Sequence, residues 1–481
     1  MFVGIVPEQS MNADRRHVSD MASEFKTRTR NMTQGNIAGQ LILFALPLML
    51  GNVFQMLYNT VDSIVVGNYV GTQALAAVGS TTMIINMLVF FFNGFSTGAG
   101  VVIGNSFGAK DEEKLHRAVE TTMAATLIFC VIFTVIGVLA VRPMLMLMAT
   151  PEDVFDDASL YLKIYFMGIT GLLIYNMGSG ILRAVGDTTR PLLFLILTSV
   201  MNIILDLVFV LAFHMGIEGV AYATILSQMI SALLTLRLLT FTREIYRLNW
   251  KDLQLDRDIL KNIFAIGLPA GIQSVITSVS NVFVQSYINY FGSGCMAGWS
   301  CYNKLDQFAM LPIQSMAMAS TTFVSQNIGA RQEKRANRGT VAAMGIASGV
   351  TLAVVTSLYI FAEPSVRLFS KEREVLDFGI LFIHCNIFFF LFNCLNHVLA
   401  GALRGRGDSR GPMVVMLIAF VGVRQLYLFV LTRYISNTPA LVGFGYPVGW
   451  MTCTVLEIVY FFFRWTDAGK KIRGRLSCGE S

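Results

Sequence analysis

Two polar residues stand four positions apart inside a long apolar run. Asn202 and Asp206 belong to the run 191–213, which is long enough to cross a membrane as a helix. Residues i and i+4 share a helix face, so both side chains point the same way. A carboxylate at that depth costs roughly 2.5–3.5 kcal/mol on insertion scales, and such groups usually belong to an ion, proton or substrate path. The alternative is an aspartate that only joins two helices.

Three polar residues are expected at one depth. Asp62 and Asp206 each precede the outer end of an apolar run by seven residues, and Thr224 follows the start of another by seven. Seven residues correspond to about 10 Å of helix. Carboxylate, amide and hydroxyl oxygens suit a hard cation such as Na⁺. Two carboxylates out of water are costly to ionise together, so the same set can carry a proton. Na⁺ and H⁺ both remain candidates for the ion that binds these residues.

The composition indicates a polytopic membrane protein. Of 481 residues, 54% are hydrophobic and 14% charged, whereas soluble domains carry about 25% charged residues. The net charge of +6 is modest and indicates no nucleic-acid partner. The seven cysteines form no CxxC pair, so neither a metal-thiolate site nor a disulfide framework is expected. No cofactor is expected beyond the coupling ion.

Twelve apolar runs predict an all-α integral membrane protein of twelve transmembrane helices. Lys and Arg crowd the even-numbered connections, as in 110–117 and 331–338. The positive-inside rule then places both termini in the cytoplasm. The predicted parts are a disordered cytoplasmic tail, an N-lobe, a cytoplasmic linker, a C-lobe and a cytoplasmic C-terminal tail: 1–35, 36–241, 242–258, 259–463 and 464–481.

The two halves repeat. Leu182–Asp187 recurs as Leu403–Asp408, and 105–110 recurs as 326–331, so the numbers in each pair differ by 221. In the Gly-Asp motifs, Gly is expected to end one helix and Asp to cap the next.

Prolines supply two more landmarks. Pro191 and Pro412 also differ by 221, whereas Pro47 and Pro269 differ by 222, which indicates one small insertion. Six spans in each half give both halves the same orientation. The predicted architecture is therefore a parallel 6+6 repeat, as in transporters that rock about a central site.

With these motifs the chain resembles the MATE (multidrug and toxic compound extrusion) family from about Gly39 to Phe463. The resemblance depends on the twelve-span repeat, the paired loops and the NxxxD pattern at Asn202 and Asp206. It implies two six-helix lobes in a V shape and alternating-access export of organic cations against Na⁺ or H⁺. It also implies a monomer that is not an enzyme and that lies in a cell inner membrane or plasma membrane.

The first half resembles the DinF-like branch of that family. There an acid on the first helix faces the NxxxD pair of the fifth helix, which implies that Asp62 faces Asn202 and Asp206. The resemblance further implies a hinge at Pro47. The implied coupling residues are Asp62, Asn176, Asn202, Asp206 and Thr224, and Na⁺ is possible at all of these except Asn176.

The second half departs from this pattern. An offset of 221 places Val423 and Tyr427 opposite the NxxxD pair, so the acid has no counterpart. Relatives of the NorM type carry an acid in the tenth helix where this chain has Asn393. Polar residues within the C-lobe runs are candidates for a substrate cleft: Gln273, Asn281, Lys304, Asp306 and Asn393.

Two other functions remain alternatives. A flippase for lipid-linked precursors requires a cationic cleft, and only a few Lys or Arg, such as Lys304 and Arg424, lie centrally. An integral-membrane transferase requires a His and Asp constellation, whereas His384 and His397 lie in spans without an acid at close spacing. A multidrug or organic-cation exporter is therefore favoured.

Overall fold

The computed structural model describes residues 29–148 and 150–466, and all regular structure within them is helical. The helices of the first half are α1 (Ile37–Val65), α2 (Thr72–Ala109), α3 (Glu112–Leu147), α4 (Glu152–Met167), α5 (Ile169–Ala184), α6 (Thr189–Leu207) and α7 (Ile217–Phe241). Turns of π-helix extend two of them, Val66–Val70 after α1 and Val208–Ala212 after α6. The link to the second half contains a 3₁₀ turn, Trp250–Asp252.

The second half follows the same order. Its helices are α8 (Arg257–Asn289), α9 (Ser293–Gly329), α10 (Glu333–Ile360), α11 (Ala362–Arg367), α12 (Arg373–Asn386), α13 (Phe390–Gly405), α14 (Arg410–Met416), α15 (Arg424–Val430), α16 (Pro439–Gly443) and α17 (Gly445–Trp465). A 3₁₀ turn at Ile387–Phe389 joins α12 to α13. Turns of π-helix, Leu417–Val423 and Leu431–Ile435, precede and follow α15.

These helices make twelve spans in two lobes of six, as predicted. Ten helical stretches of the described chain pass a length and hydropathy test for crossing a membrane, and the pair α4–α5, bent by 50°, adds an eleventh. The twelfth is α9, whose 37 residues make about 55 Å of helix. Polar residues such as Gln314, Thr321 and Thr322 lower its mean hydropathy, so length and composition alone do not mark it as a span.

The repeat is visible in the backbone. Gly186 and Gly407 have φ of 89° and 82°, and Lys110 and Arg331 have φ of 57° and 58°. After Gly186, the Asp187 carboxylate accepts hydrogen bonds from two backbone N–H groups at the start of α6, both at 3.1 Å. The expected roles of Gly and Asp in these motifs are therefore confirmed.

The lobes meet at the end of the molecule that carries the basic loops. A Cβ added at Gly108 would overlap the carbonyl oxygen of Gln326, and one at Gly329 would overlap that of Asn105. Gln326 Nε2 also donates to the Ala184 carbonyl at 2.8 Å. These glycines allow the backbones of α2 and α9 to approach closely across the lobe boundary.

The segment before α1 differs from the predicted tail. Met32 is fully buried, and its N–H donates to Gln326 Oε1 at 2.9 Å. The Arg335 guanidinium donates to the carbonyls of Gln34 and Gly35, both at 2.9 Å. Residues 29–35 are thus fixed to the C-lobe, because a cation of α10 satisfies their carbonyls. Residues 1–28 and 467–481 of the predicted tails lie outside the described residues.

Candidate functional site

The NxxxD pair lies on the inward face of α6. Asn202 and Asp206 are 1% and 0% exposed, whereas Ile204 between them is 53% exposed. The helix therefore directs both polar groups into the N-lobe and an apolar group outward, as the i, i+4 spacing predicts. α6 packs between α1 and α7, the two helices that supply the other candidate residues.

Asp62 of α1 and Asp206 of α6 face each other. Their carboxyl groups lie next to each other. Both Asp206 oxygens, Asp62 Oδ1 and both amide atoms of Asn202 are buried without a hydrogen-bond partner among the described residues. Unsatisfied buried acceptors are costly. A proton shared by the two carboxyls or a cation held between them satisfies these oxygens, so the geometry suits either ion.

Tyrosines surround the carboxyl pair, and the sequence reasoning did not include them. Tyr58 of α1 lies beside both carboxyls and the Thr224 hydroxyl. Tyr161 of α4 faces the same two carboxyls. Tyr58 precedes Asp62 by four residues and therefore shares its helix face, so the spacing in the sequence could have identified this residue. Contact between Tyr161 and these acids required the tertiary fold, since α4 is distant in sequence.

Both helices that carry the acids change to π-helix just after them. The turns Val66–Val70 and Val208–Ala212 follow Asp62 and Asp206 within four residues. Single π turns occur often at functional sites. The candidate carboxyls therefore stand at the last regular α-helical turns of α1 and α6.

Two other candidates, Thr224 and Asn176, lie in the same lobe. Thr224 is 4% exposed, and its hydroxyl donates to the Val220 carbonyl at 3.0 Å, leaving its lone pairs for a partner. Asn176 of α5 donates to Leu172 of its own helix at 3.0 Å. Pro47 lies inside α1, where its missing N–H leaves one turn of the helix without its hydrogen bond.

The C-lobe equivalent of the NxxxD pair is Arg424 and Leu428. The π-helix Leu417–Val423 adds one residue to the repeat, so the offset changes from 221 to 222 beyond it. Burial agrees, because Arg424 and Leu428 are 1% and 0% exposed and Leu426 is 63% exposed. The prediction that Val423 and Tyr427 occupy these positions was wrong by one residue. The predicted lack of a second acid pair stands.

A cation thus replaces the acid pair in the C-lobe. Arg424 Nη2 donates to Asn281 Oδ1 at 2.9 Å, and the guanidinium lies 4.9 Å from the Tyr446 ring centroid. Tyr446 and Tyr302 both face Asp306, whose Oδ1 is buried without a hydrogen-bond partner in the described chain. The two lobes therefore differ in charge at equivalent depths, although they share one fold.

The other three cleft candidates lie apart from this cluster. Gln273 Oε1 accepts from Arg404 at 2.8 Å. Lys304 is exposed, with its ammonium 5.2 Å from the Phe369 ring centroid. Asn393 Nδ2 lies 3.3 Å from the Met310 sulfur. Of the five candidates, only Asn281 and Asp306 belong to one cluster of contacts, through Arg424 and Tyr446.

Comparison with protein families gives a match to the MatE family model over two segments, residues 47–208 and 269–430. The segments begin and end 222 positions apart, in agreement with the repeat. The chain is 30% identical over 442 residues to "Probable multidrug resistance protein YpnP" of Bacillus subtilis, covering 90% of this chain and 97% of that protein. It is 27% identical over 411 residues to "Probable multidrug resistance protein NorM" of Thermotoga maritima, covering 83% and 86%.

Solved structures match along almost the whole chain. "Crystal structure of MATE in the straight conformation" superposes with a TM-score of 0.86 at 25% identity, covering 92% of this chain and 99% of that one. "Reverse polarity of binding pocket suggests different function of a MOP superfamily transporter from Pyrococcus furiosus Vc1" gives a TM-score of 0.85 at 24% identity, covering 94% and 99%. The V-shaped arrangement of two six-helix lobes is the fold of these structures.

Proposed function

Because the chain belongs to the MatE family of multi-pass membrane transporters, we propose that it is a multidrug exporter driven by inward movement of Na⁺ or H⁺ at Asp62 and Asp206. The single observation that carries this proposal is the facing of the buried Asp206 carboxyl and the half-buried Asp62 carboxyl, three of whose oxygens are buried with no donor in the described chain. Relatives at 29–30% identity are named multidrug resistance proteins. The substrates proposed by extension are small organic cations.

The coupling ion acts by changing the charge of the site. In the cation-free state the paired carboxyls repel each other, and α1 and α6 are held apart electrostatically. A proton or Na⁺ removes that repulsion and favours closer packing of α1 on α6, with Pro47 as the point where α1 bends. Reciprocity requires that, if the ion weakens substrate binding by some factor, the substrate weakens ion binding by the same factor.

Movement of α1 has a route to the other lobe. α1 packs on α6 of its own lobe and on α9 of the C-lobe, and Asn52 Nδ2 donates to Ser315 Oγ across the boundary at 3.3 Å. The inter-lobe hydrogen bonds of the described residues lie from Asn52 toward the basic-loop end. A cleft open on the opposite face, with both termini cytoplasmic, is the orientation we propose.

The test is substrate efflux from proteoliposomes under separately imposed Na⁺ and H⁺ gradients. Wild type is compared with Asp62→Asn and Asp206→Asn, and with Asp377→Asn as the matched control, because that carboxylate is 69% exposed. One gradient is expected to drive efflux in wild type and control, with loss of the driven component in both site variants.

Two results would contradict the proposal. Full gradient-driven efflux in Asp206→Asn would exclude the carboxyl pair as the coupling site. Failure of both gradients to drive efflux of several organic cations in wild type would exclude the exporter function and make lipid-linked substrates the next to test.

A further inference from the structure

Each lobe has a cavity beside the third helix of its repeat, at the basic-loop end. The basic cavity of the C-lobe has a volume of about 850 Å³ and includes the start of α10. The mixed cavity of the N-lobe has a volume of about 560 Å³ and lies along the first turns of α3. These helices begin at Glu333 and Glu112, which differ by 221, so the cavities occupy equivalent positions in the repeat.

The two cavities differ in charge. The basic cavity is lined by four cationic side chains and one acid: Arg331, Lys334, Arg335, Arg338 and Glu333. The mixed cavity is lined by two arginines, three acids and a histidine: Arg117, Arg247, Glu113, Glu120, Asp252 and His116. Topology alone does not account for the basic cavity, since the equivalent cavity at the same end of the molecule is not basic.

Ion pairing accentuates the difference. In the N-lobe, Arg117 lies 3.0 Å from a Glu113 carboxylate oxygen and 3.6 Å from one of Asp256. Its counterpart in the C-lobe, Arg338, is exposed and forms no ion pair with any described residue. The arginine at this position is therefore neutralised by acids in the N-lobe, whereas its counterpart in the C-lobe is available to a ligand.

The N-termini of α3 and α10 also differ in charge, because only α3 has a carboxylate at its capping position. The Asp111 carboxylate caps α3 by accepting the N–H of Lys114 at 3.0 Å. Gln332 holds the equivalent position before α10, and its side chain makes no capping hydrogen bond. The first N–H groups of a helix require acceptors, and its dipole favours an anion there. At the capping position the C-lobe therefore has a neutral side chain where the N-lobe has a carboxylate.

A fifth cation stands behind the basic cavity. Arg406 donates to Oδ1 of Asn337, which lines the cavity. Its Nε and Nη1 atoms are buried without a hydrogen-bond partner in the described part of the chain. Burial lowers the pKa of Arg406 to about 10, so it is charged at neutral pH. The N-lobe has Val185 at the equivalent position, so this charge too belongs to the C-lobe alone.

We propose that the basic cavity binds a phosphate group, which replaces the carboxylate cap of the other lobe. Several cations and the first N–H groups of a helix are the chemistry that recognises phosphate. α10 continues from this cavity into a membrane span, so the cavity lies at the level of lipid headgroups. The phosphate comes either from an anionic phospholipid or from a soluble phosphate compound.

The test uses full-length protein, delipidated in detergent, and follows its thermal unfolding. The probes are short-chain phosphatidylglycerol, short-chain phosphatidylcholine and inorganic phosphate, at constant ionic strength. Wild type is compared with Lys334→Gln/Arg338→Gln, whose side chains are exposed. The matched control is Arg117→Gln/Arg247→Gln, which removes the same charge from the mixed cavity.

Phosphatidylglycerol is expected to stabilise wild type and control, with at least tenfold weaker apparent affinity in Lys334→Gln/Arg338→Gln. An equal effect of inorganic phosphate would identify a soluble phosphate as the source. An effect of phosphatidylglycerol alone would identify the lipid. No response of wild type to either anionic probe, or the same response in all three proteins, would overturn the proposal.

A second variant tests the site without removing a cation. Gln332→Asp restores the carboxylate that Asp111 supplies in the other lobe, so it is expected to raise the unfolding temperature in the absence of any probe. The same variant is expected to bind the phosphate probe at least tenfold more weakly, because the helix start is already capped. Unchanged phosphate affinity in a more stable Gln332→Asp protein would contradict the proposal.

Discussion

Arg335 fixes the segment before α1 to the C-lobe, and its removal should release that segment. The guanidinium donates to the carbonyls of Gln34 and Gly35 at 2.9 Å each and to that of Met32 at 3.3 Å. Hydrogen bonds to a charged group each contribute about 1.5 kcal/mol or more. Counting only the two short bonds, Arg335→Ala should favour detachment by about 3 kcal/mol, or roughly 100-fold in the opening equilibrium.

Hydrogen exchange measures this opening directly. The buried Met32 N–H, bonded to Gln326 at 2.9 Å, exchanges only when the segment detaches. Mass spectrometry of a peptide covering 29–40 should show exchange about 100-fold faster in Arg335→Ala. Arg338→Ala, one helical turn later and exposed, should match wild type. Unchanged exchange in Arg335→Ala would refute the assignment of Arg335 as the group that holds the segment.

Three further substitutions concern a contact between the lobes, the carboxyl site and a helix cap. Gly108→Ala should destabilise the fold by about 1–3 kcal/mol in chemical denaturation, since its Cβ overlaps the Gln326 carbonyl; Gly345→Ala, which meets no atom within 4 Å, should be neutral or stabilise by up to about 1 kcal/mol. Tyr58→Phe should leave the protein folded but alter the ion dependence of efflux, because the phenol lies beside both carboxyls; an unchanged ion dependence would remove it from the site. Asp408→Asn should cost about 1–2 kcal/mol of unfolding free energy, because the carboxylate accepts from Tyr460 at 2.6 Å and from the Gly411 N–H at 3.0 Å, and an unaltered denaturation midpoint would contradict this.

The sequence predicted the features that depend on helical periodicity and repetition. The inward face shared by Asn202 and Asp206 follows from their spacing, and the Gly-Asp turns follow from local backbone chemistry. The facing of Asp62 and Asp206, implied by resemblance and by equal depth, is the arrangement in the structure. These features depend on local or repeated sequence patterns, so they can be predicted without knowing how the helices pack.

Other features required the tertiary structure. The Arg424 position was missed because a π turn adds a residue that no sequence motif marks. Tyr161 reaches the acids from a helix about 100 positions away from Asp62. The sequence predicts that residues 29–35 belong to a polar tail, because their partners, Gln326 and Arg335, lie some 300 positions later in the chain. Contacts between distant segments leave no periodic pattern.

Binding measurements test most directly whether the ion and the substrate are coupled through the paired carboxyls. Affinity for a fluorescent organic cation is measured in detergent as a function of Na⁺ at fixed pH, and of pH without Na⁺, for wild type and Asp206→Asn. One of the two ions is expected to weaken binding in wild type by about tenfold or more, a typical coupling of at least 1.4 kcal/mol. Asp206→Asn is expected to abolish this dependence. The same ion dependence in Asp206→Asn as in wild type would contradict the claim that the paired carboxyls join ion binding to substrate release.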